Sequence, residues 1–461
     1  MDYEMVLSRG TLVTPWDAFE CDVATQGGKI ASISTPGSLH GEQVMDCRNL
    51  SILPGVIDAH VHMRYPLRPD KEDFVSGTMA AAAGGITCVF DMPGSMPIVY
   101  SGEVLRRRLS LVESDAYVDF ALYGAAGHDN TDLLGSLAGA GAIAFKTFMN
   151  PPSSRPSGGI QGMFCGDDAA LLETCRAAAA TGLVHAVHTE SHTICTQMTA
   201  AMKAAARNEA VAYSDARPEV AETAAAGALL AVGSGTGDQV HMSHMSTADA
   251  VGLAHEYRLK RAPVTVETCP HYLAKDFTAY EEFGSRVRMN PPLRSRQTVE
   301  ALWKCLNAGM IDIVATDHSP HNIEEKAVAD VFSASPGVPG METLVPVMLD
   351  FVSQGRLSLH DIVRLMSYNP SRIFGLYPRK GSIVVGADAD FTIVDPNLRK
   401  KVRRETMHTK ARESALLFDG QELAGWPVMT VVRGNVVMRD GEVTGSRGYG
   451  KWIPGPKTVE A

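Results

Sequence analysis

The sequence predicts an α/β fold: a (β/α)8 barrel of the TIM type with a small β-sandwich domain formed from both termini. Three observations support this prediction. The middle of the chain repeats apolar strand, polar turn and Ala-rich helix, and both ends are rich in short strands. The length of 461 residues also exceeds what one hydrophobic core usually fills. We expect the barrel over residues 55–378 and the small β domain over residues 1–54 plus 379–461.

The two ends share a texture of β-branched runs separated by turn residues. Near the start, MVLSRGTLV, DVATQGGKIASIS with its Gly-Gly turn, and GEQVMDC are predicted strands of a small antiparallel sheet. Near the end, SIVVGADADFTIVDP and PVMTVVRGNVVMRDGEVTG show the same pattern. Because the pattern is confined to the ends, we expect them to assemble into one domain.

The middle of the chain contains eight apolar segments that are predicted to be parallel strands. Buried parallel strands are near-continuous apolar runs covered by helices, and eight such strands close a barrel. An open doubly wound sheet is the alternative, but no GxGxxG motif follows the first strand to favour it. The segments are SILPGVIDAHVH, ITCVFDMP, YVDFALYGAA, AIAFKTFM, GLVHAVHTE, QVHMSHMS, PVTVETCPHY and DIVATDHSP.

Composition excludes several classes of function. The formal net charge is -10 and no sustained basic face is present, which argues against a nucleic-acid partner. No stretch approaches the roughly 18 apolar residues of a membrane span, and the N-terminus shows no secretory signal. The eight cysteines are scattered without a CxxC pair. We therefore expect a cytoplasmic protein with reduced thiols.

Side chains capable of metal binding and catalysis recur at the C-terminal ends of the predicted strands. In a parallel barrel these ends share the face on which active sites form, so residues distant in sequence meet in one pocket. They are His60 and His62 on the first strand, Lys146 on the fourth, His188 on the fifth, His244 on the sixth, His271 on the seventh, and Asp317 with His318 on the eighth.

The spacing of His60 and His62 predicts a metal site. Alternate residues of a strand point to the same side, so both imidazoles can reach one ion. Imidazole favours zinc, iron, nickel or cobalt over magnesium or calcium. Asp317 adds a carboxylate, and water bound to such an ion loses a proton near neutral pH. By the same alternation His185 and His241, each three residues before a predicted ligand, should face the opposite side.

Lys146 is an unusual residue for such a pocket, because cations would repel it and burial would penalise its charge. One interpretation is a lysine whose long side chain reaches solvent. The other is chemical. A desolvated amine with a lowered pKa is nucleophilic, and its reaction with carbon dioxide gives a carbamate whose two oxygens can bridge two metal ions.

The motifs PGVIDAHVH, FKTFM, VHTES, HMSHMS, ETCPHYL, NPPLR and ATDHSPH together resemble the cyclic-amidohydrolase branch of the amidohydrolase superfamily. That branch contains the dihydroorotases, allantoinases and hydantoinases (dihydropyrimidinases), and the resemblance covers nearly the whole chain. It implies hydrolysis of a ring amide, a reaction of EC 3.5.2 type, by a metal-bridged hydroxide. It also implies a homodimer or homotetramer.

The resemblance further implies two divalent metal ions, most often zinc, and a role for each ligand. Asp317 would bind the first metal and act as the catalytic acid and base. The other metal ligands would be His60 and His62 at the first ion, His188 and His244 at the second, and N6-carboxylated Lys146 between the two.

The motifs leave the substrate open. Arg64, Asn290 and His321 resemble substrate-binding positions of dihydroorotases, and the fork of an arginine pairs with a carboxylate through two bonds. An arginine in a structural ion pair at the rim is the alternative for Arg64. Gly94 departs from the dihydroorotase pattern, which has an asparagine there. ETCPHYL and ATDHSPH resemble allantoinases, and IFGLYPRKGSIVVGADADF resembles hydantoinases. We expect a small cyclic amide as substrate, with a carboxylate-bearing ring as one alternative.

Three other interpretations stay open. An allantoinase proper is the nearest, and a non-catalytic dihydropyrimidinase-like scaffold, which would purify without metal, is from another class. A deaminase or mononuclear branch typically lacks a lysine at the position of Lys146. Residues 150–168, rich in Pro, Gly and Ser, are either a loop over the barrel mouth or a solvated connection.

Overall fold

A computed structural model describes residues 2–95, 97–150 and 163–459. The strands are β1 (Tyr3–Val13), β2 (Ala18–Gln26), β3 (Lys29–Ser34), β4 (Gly41–Asp46), β5 (Ser51–Pro54), β6 (Val56–Val61), β7 (Ile86–Asp91), β8 (Asp119–Leu122), β9 (Gly124–Ala125), β10 (Phe145–Phe148), β11 (Val184–His188), β12 (Gln239–Met242), β13 (Val264–Thr268), β14 (Ile313–Val314), β15 (Phe391–Lys401), β16 (Glu422–Val432), β17 (Asn435–Arg439) and β18 (Glu442–Val443).

The α-helices lie mainly between the strands of the middle region. They are α1 (Phe74–Ala83), α2 (Gly102–Val112), α3 (Leu134–Gly139), α4 (Asp168–Thr181), α5 (His192–Ala204), α6 (Ala210–Asp215), α7 (Glu219–Thr236), α8 (Ala248–Leu259), α9 (Pro270–Ala274), α10 (Ala279–Phe283), α11 (Arg296–Asn307), α12 (Ile323–Lys326), α13 (Met341–Ser353), α14 (Leu359–Val363) and α15 (Asn369–Ile373).

Strands β6 to β14 form the predicted barrel. One run of parallel pairs joins β6, β7 and β8, and a second joins β9 through β14 in chain order. β8 and β9 are two parts of the third barrel strand, interrupted at Tyr123. The ring closes where Val61 pairs in parallel with His318 and the His62 N–H donates to the His318 carbonyl at 2.8 Å. The eight-stranded barrel is therefore confirmed, and the open sheet is excluded.

Local sequence explains how the helices pack on the barrel. The Ala-rich helix α1 begins after Asp73, whose carboxylate accepts the Ser76 N–H at 2.8 Å. It ends at Gly84, where a Cβ atom would lie 2.2 Å from the Met341 carbonyl oxygen of α13. Only a residue without a side chain allows that approach. Inside the barrel, residues such as Ile57 fill the lower layers.

The termini form one nine-stranded sheet in the order β18-β17-β16-β15-β5-β1-β2-β3, with β4 also paired to β1. The expected fold class is confirmed, but the purely antiparallel sheet predicted for the first fifty residues is wrong. β4 and β5 both run parallel to β1, with Val6 opposite Val44 and Thr11 opposite Ser51. The β1–β2–β3 hairpins occupy one edge of β1, so the chain returns along its other edge.

A buried ionic cluster joins the sheet to the base of the barrel. The Lys380 ammonium lies 2.5 Å from Asp119 on β8 and 2.5 Å from Asp390, just before β15. All three side chains are buried. Asp119 also pairs with Arg433 of the terminal sheet. Buried charges are tolerated when they are paired and hydrogen-bonded in this way.

Two further features bear on the expectations from the sequence. No helix in the described ranges is both long and apolar enough to cross a bilayer. Of the loop expected at 150–168, residues 151–162 lie outside the described part of the chain. Met163, on its far side, is buried against Ile98 and Ala125.

Candidate metal centre and substrate cavity

One cavity of about 560 Å3 opens at the C-terminal ends of the barrel strands. The structure brings every predicted metal ligand and substrate-binding residue to its wall, although these residues span more than half the chain. They are His60, His62, Arg64, Lys146, His188, His244, Asn290, Asp317 and His321. His271 and His318, which are also in the described part of the chain, do not line it. The architecture of the barrel accounts for this convergence, because all eight strands end on this face.

His60, His62 and Asp317 form the first group of potential ligands. Oδ1 of Asp317 lies 3.2 Å from Nε2 of His60 and 3.1 Å from Nε2 of His62. The alternation along β6 places both imidazoles on the inner side, as the spacing predicted. Three electron-rich atoms thus point at one small volume.

His188 and His244 form the second group. Nδ1 of His188 faces Nε2 of His244 at 3.1 Å, and both rings are buried. Nε2 of His188 lies 2.7 Å from Oε2 of Glu190, which also forms an ion pair with Arg217. Because a carboxylate accepts only, we assign the His188 proton to Nε2, which leaves the Nδ1 lone pair directed at His244.

Lys146 lies within β10 and is buried in the wall of the same cavity rather than reaching solvent. Its ammonium donates to the Ser243 hydroxyl at 3.0 Å and lies 5.2 Å from the centre of the Phe148 ring. Burial lowers the pKa of Lys146 to about 8, although the carboxylates of Glu267 and Asp317 act in the opposite direction. The interpretation in which this side chain snorkels to the surface is therefore wrong.

The electrostatics of the site favour metal ligation. Burial lowers the pKa of His62 to about 3 and that of His244 well below its ordinary value, so both rings are neutral at physiological pH. Burial disfavours ionisation of Asp317, but the neighbouring imidazoles outweigh it and hold the carboxyl pKa well below its usual range. Neutral imidazoles and an ionised carboxylate are the protonation states that bind a cation.

Three residues of the cavity have left-handed backbone conformations that non-glycine residues rarely adopt. The φ angles are +56° at Arg64, +43° at His244 and +46° at Asp317. Each follows the end of a barrel strand, and the turn redirects its side chain over the mouth. Such strain persists only where the surrounding structure enforces it, and it concentrates at functional sites.

Glu267 on β13 is a buried residue of the site that the sequence reasoning missed. Its Oε1 lies 2.8 Å from Nδ1 of His60 and accepts the His244 N–H at 3.0 Å. Its Oε2 lies 3.3 Å from Nε2 of His241. One carboxylate therefore contacts both ligand groups. The sequence does contain an indication of this residue. It is a glutamate inside the apolar segment PVTVETCPHY, at a position that strand alternation directs towards the barrel interior.

Two expectations about the other histidines need correction. His241 faces the barrel interior, where it contacts Glu267. The prediction counted back from His244, but β12 ends at Met242, so strand alternation does not relate the two histidines. His271 does not end the seventh strand but lies in α9, after β13 stops at Thr268. His185 does face the outer side, bonded to Asp238 at 2.6 Å beside α4.

The remaining predicted residues form the rim of the cavity. Arg64 donates from Nε to the Pro320 carbonyl at 3.2 Å, and its Nη2 lies 3.1 Å from Nε2 of His321. Across His321, the buried Lys71 ammonium lies 2.5 Å from Glu325. On another wall, the Asn290 side-chain oxygen accepts a bond from the Tyr213 hydroxyl.

The donor set fits a pair of divalent cations. With the His60 proton on Nδ1, where it bonds Glu267, the Nε2 lone pair faces the Asp317 carboxylate at 3.2 Å. In that tautomer the imidazole nitrogen and the carboxylate oxygen could hold one cation between them. One ligand atom each of His60, His244 and Asp317 lies within 4.8 Å of the other two. Imidazole and carboxylate together match zinc and similar ions.

A profile of the amidohydrolase family matches residues 51–437. The chain belongs to the amidohydrolase family. An allantoinase of Deinococcus radiodurans is 36% identical over 448 residues, 97% of this chain and 98% of that protein. A dihydroorotase of Methanothermobacter thermautotrophicus is 37% identical over 436 residues, 94% of each chain.

Solved structures of related amidohydrolases have the same fold. An L-hydantoinase (dihydropyrimidinase) from Arthrobacter aurescens superposes with a TM-score of 0.94 at 32% identity, covering 98% of this chain and 100% of that one. The relatives therefore fall in the branch that the motifs resemble, and that resemblance is confirmed.

Proposed function

We propose that this amidohydrolase opens a cyclic amide by hydrolysis of a ring C–N bond, using two divalent metal ions. The observation that carries the proposal is the convergence of the six proposed metal ligands, four histidines, one lysine and one aspartate, on a single cavity. Relatives named allantoinase, dihydroorotase and L-hydantoinase support the reaction class.

We assign the metal ligands from the two groups of side chains described above. His60, His62 and Asp317 would hold the first ion, and His188 and His244 the second, with zinc as the expected metal. When bound, the two cations would polarise the ring carbonyl and lower the pKa of water. The two groups together supply four neutral imidazoles and a single carboxylate. Two divalent cations would carry more positive charge than this set balances, so we expect one further negatively charged ligand.

Carboxylated Lys146 would supply that ligand. The amine is buried in the wall of the cavity that the two groups line, and its lowered pKa increases the share of the neutral form that reacts with carbon dioxide. Carbamate formation joins the lysine nitrogen to the carbon of carbon dioxide and releases one proton. The product carries the negative charge and the two oxygens that a bridging position requires.

Asp317 is the residue we assign to proton transfer. Its carboxylate is ionised and contacts the first ligand group, so it can accept the proton of the attacking water. The same oxygen can then deliver that proton to the ring nitrogen as the C–N bond breaks. Its left-handed backbone, together with its contact to His62, directs the carboxylate across the cavity.

Replacing Glu267 with Gln is expected to weaken metal binding roughly 10- to 100-fold at both positions. Gln keeps the size of the side chain but removes the charge that bonds the His60 ring and the His244 backbone. Chelator competition titrations with zinc measure the effect.

Glu222→Gln is the matched control for this prediction, because Glu222 is an equally buried carboxylate that bonds Ser246 and Thr247 instead. Its variant should bind zinc like the parent. Unaltered zinc affinity in Glu267→Gln would show that the carboxylate does not support the metal ligands.

The rim of the cavity favours a substrate that carries an acidic group. Arg64, Arg68 and Lys71 line one wall, where the carboxylate of Glu325 lies beside them. An anionic ring substituent is attracted to such a wall, and arginine binds a carboxylate in a defined orientation. Arg64, Asn290 and His321 are the residues we assign to substrate binding.

A substrate screen tests both the reaction and the role of Arg64. Zinc-loaded protein is incubated with dihydroorotate, allantoin, hydantoins, dihydropyrimidines and cyclic imides. For an acidic ring, Arg64→Ala should lower kcat/KM roughly 10- to 100-fold, and Arg64→Lys should restore only part. Equal rates in Arg64→Ala would remove the arginine from substrate recognition.

Allantoinase proper is the second candidate, favoured by the 36% identity to the Deinococcus radiodurans protein. Allantoin carries no carboxylate, so preferential turnover of allantoin with little effect of Arg64→Ala would decide for it. The scaffold hypothesis is disfavoured, since every ligand position is filled.

We also propose a cytoplasmic location and assembly into a homodimer or homotetramer. All eight cysteines are unpaired, and seven are buried, which is typical of proteins in a reducing compartment. The assembly follows from the family resemblance and is tested by light scattering on the purified protein.

A further inference from the structure

A segment of the small β domain extends to the mouth of the barrel. Between β15 and β16, residues 402–421 leave the sheet through two 3-10 turns, Arg404–Thr406 and Arg412–Ser414. The base of this segment is closed by backbone bonds in both directions, Val402 N–H to Gln421 O at 2.8 Å and Gly420 N–H to Val402 O at 2.9 Å. We call residues 402–421 the strap.

The strap makes one buried contact behind the eighth barrel strand. The Thr409 hydroxyl donates to the carboxylate of Glu72, and the same carboxylate oxygen lies 3.3 Å from Nε2 of His318. Nδ1 of His318 accepts the Gly340 N–H at 3.1 Å, so Nε2 carries the proton that Glu72 accepts. The chain of contacts thus runs from the strap to the residue that follows Asp317.

A second contact reaches the rim of the cavity. The Ser414 hydroxyl donates to the backbone carbonyl of His321 at 2.8 Å, and Ser414 is buried. His321 in turn lies between Arg64 and Lys71 on the cavity wall. The backbone of the strap is fixed in addition by Glu342 of α13, which accepts the His408 N–H at 2.8 Å.

We propose that the strap is a positioning element of the active site, with Ser414 placing His321 for substrate binding and Thr409 placing His318 beside Asp317 for turnover. This inference rests on the proposed function. Neither Thr409 nor Ser414 is among the residues that line the cavity in the described part of the chain. They act through Glu72 and the His321 backbone, and are positioning residues rather than catalytic ones.

The two contacts predict different kinetic effects. Ser414→Ala removes the bond that fixes His321, so KM for the substrate should rise roughly 5-fold with little change in kcat. Thr409→Val removes a bond behind His318, so kcat should fall roughly 5-fold with little change in KM. Ser414→Thr and Thr409→Ser retain the hydroxyl and should restore the parental values.

The experiment compares zinc-loaded variants with dihydroorotate, allantoin and hydantoin as probes, after equal zinc content has been verified. Ser367→Ala is the matched control, because Ser367 is a buried serine that donates to the Pro54 carbonyl at 3.0 Å at the opposite end of the barrel. It should leave both kinetic constants unchanged.

Hydrogen–deuterium exchange supplies a readout that does not depend on activity. Peptides covering 318–325 should exchange faster in Ser414→Ala and Thr409→Val than in Ser367→Ala, while those of β10 and β11 stay protected. If both strap variants match Ser367→Ala in kinetics and in exchange, the inference is overturned. If the parent hydrolyses none of the probes, the proposed function fails, and the exchange data alone decide the role of the strap.

Discussion

Asp317→Asn protein is expected to retain its metal ions and to lose kcat by roughly 100- to 10,000-fold. Asparagine keeps an oxygen at the ligand position and a similar side-chain volume, but it cannot accept the proton of the attacking water. The effect should therefore appear in kcat, with metal content and KM changed far less. Zinc analysis and steady-state kinetics on the same preparation measure it.

The matched control for this prediction is Asp17→Asn. Asp17 is exposed in the turn between β1 and β2 and lies in the other domain, so its variant should keep full activity. Substantial turnover in Asp317→Asn would assign the proton transfer to another group. Loss of metal in the same variant would show that Asp317 is needed mainly as a metal ligand, and the loss of kcat would then not support its role as a base.

Lys146→Ala protein is expected to lose metal and activity together. Without the side chain the two ligand groups have no shared anion. The affinity for the two metal ions should fall by at least about 100-fold, since even residues that only support metal ligands contribute 10- to 100-fold to metal affinity. Lys146→Arg should behave in the same way, because a guanidinium keeps the positive charge but does not form a carbamate. Zinc content and rates with the screened substrates measure the loss.

Two further measurements separate the carbamate from a structural lysine. Metal-free protein should recover activity with zinc only when bicarbonate is present, and at a constant concentration of dissolved carbon dioxide recovery should become faster as the pH rises towards the Lys146 pKa of about 8, because the neutral amine is the reacting form. A small carboxylic acid added to Lys146→Ala should restore part of the activity. Full metal content on an unmodified amine would contradict the assignment.

The barrel and the side chains that line its cavity were predictable because they depend on local rules. Two-residue periodicity sets the inner face of a strand, and parallel strands end on one face. His60 and His62 follow these rules directly, since His60 lies at the end of β6 and His62 directly after it. The same rules place Lys146 and His188 at the mouth without knowledge of any distant contact.

The errors arise where the chain departs from regular structure or depends on distant contacts. His244 adopts a φ of +43° and therefore does not continue the strand. Strand alternation counted back from it wrongly predicted that His241 faces away from the barrel interior. Glu267 was missed because its role depends on His60, 207 residues away. The parallel pairing of β4 with β1 requires a return path that no turn motif encodes, and Thr409 contacts Glu72 from 337 residues away.

The cluster around Lys380 has a consequence for how this enzyme can vary. A single buried ammonium is shared by carboxylates from both domains, so an isolated barrel would expose Asp119 without its counter-ions, and an isolated terminal domain would leave Lys380 and Arg433 without Asp119. Splitting the chain, or exchanging one domain for that of a distant relative, therefore removes charge balance from both halves. We therefore expect sequence variation mainly in the loops at the opposite end of the barrel, which can change without disturbing the cluster around Lys380.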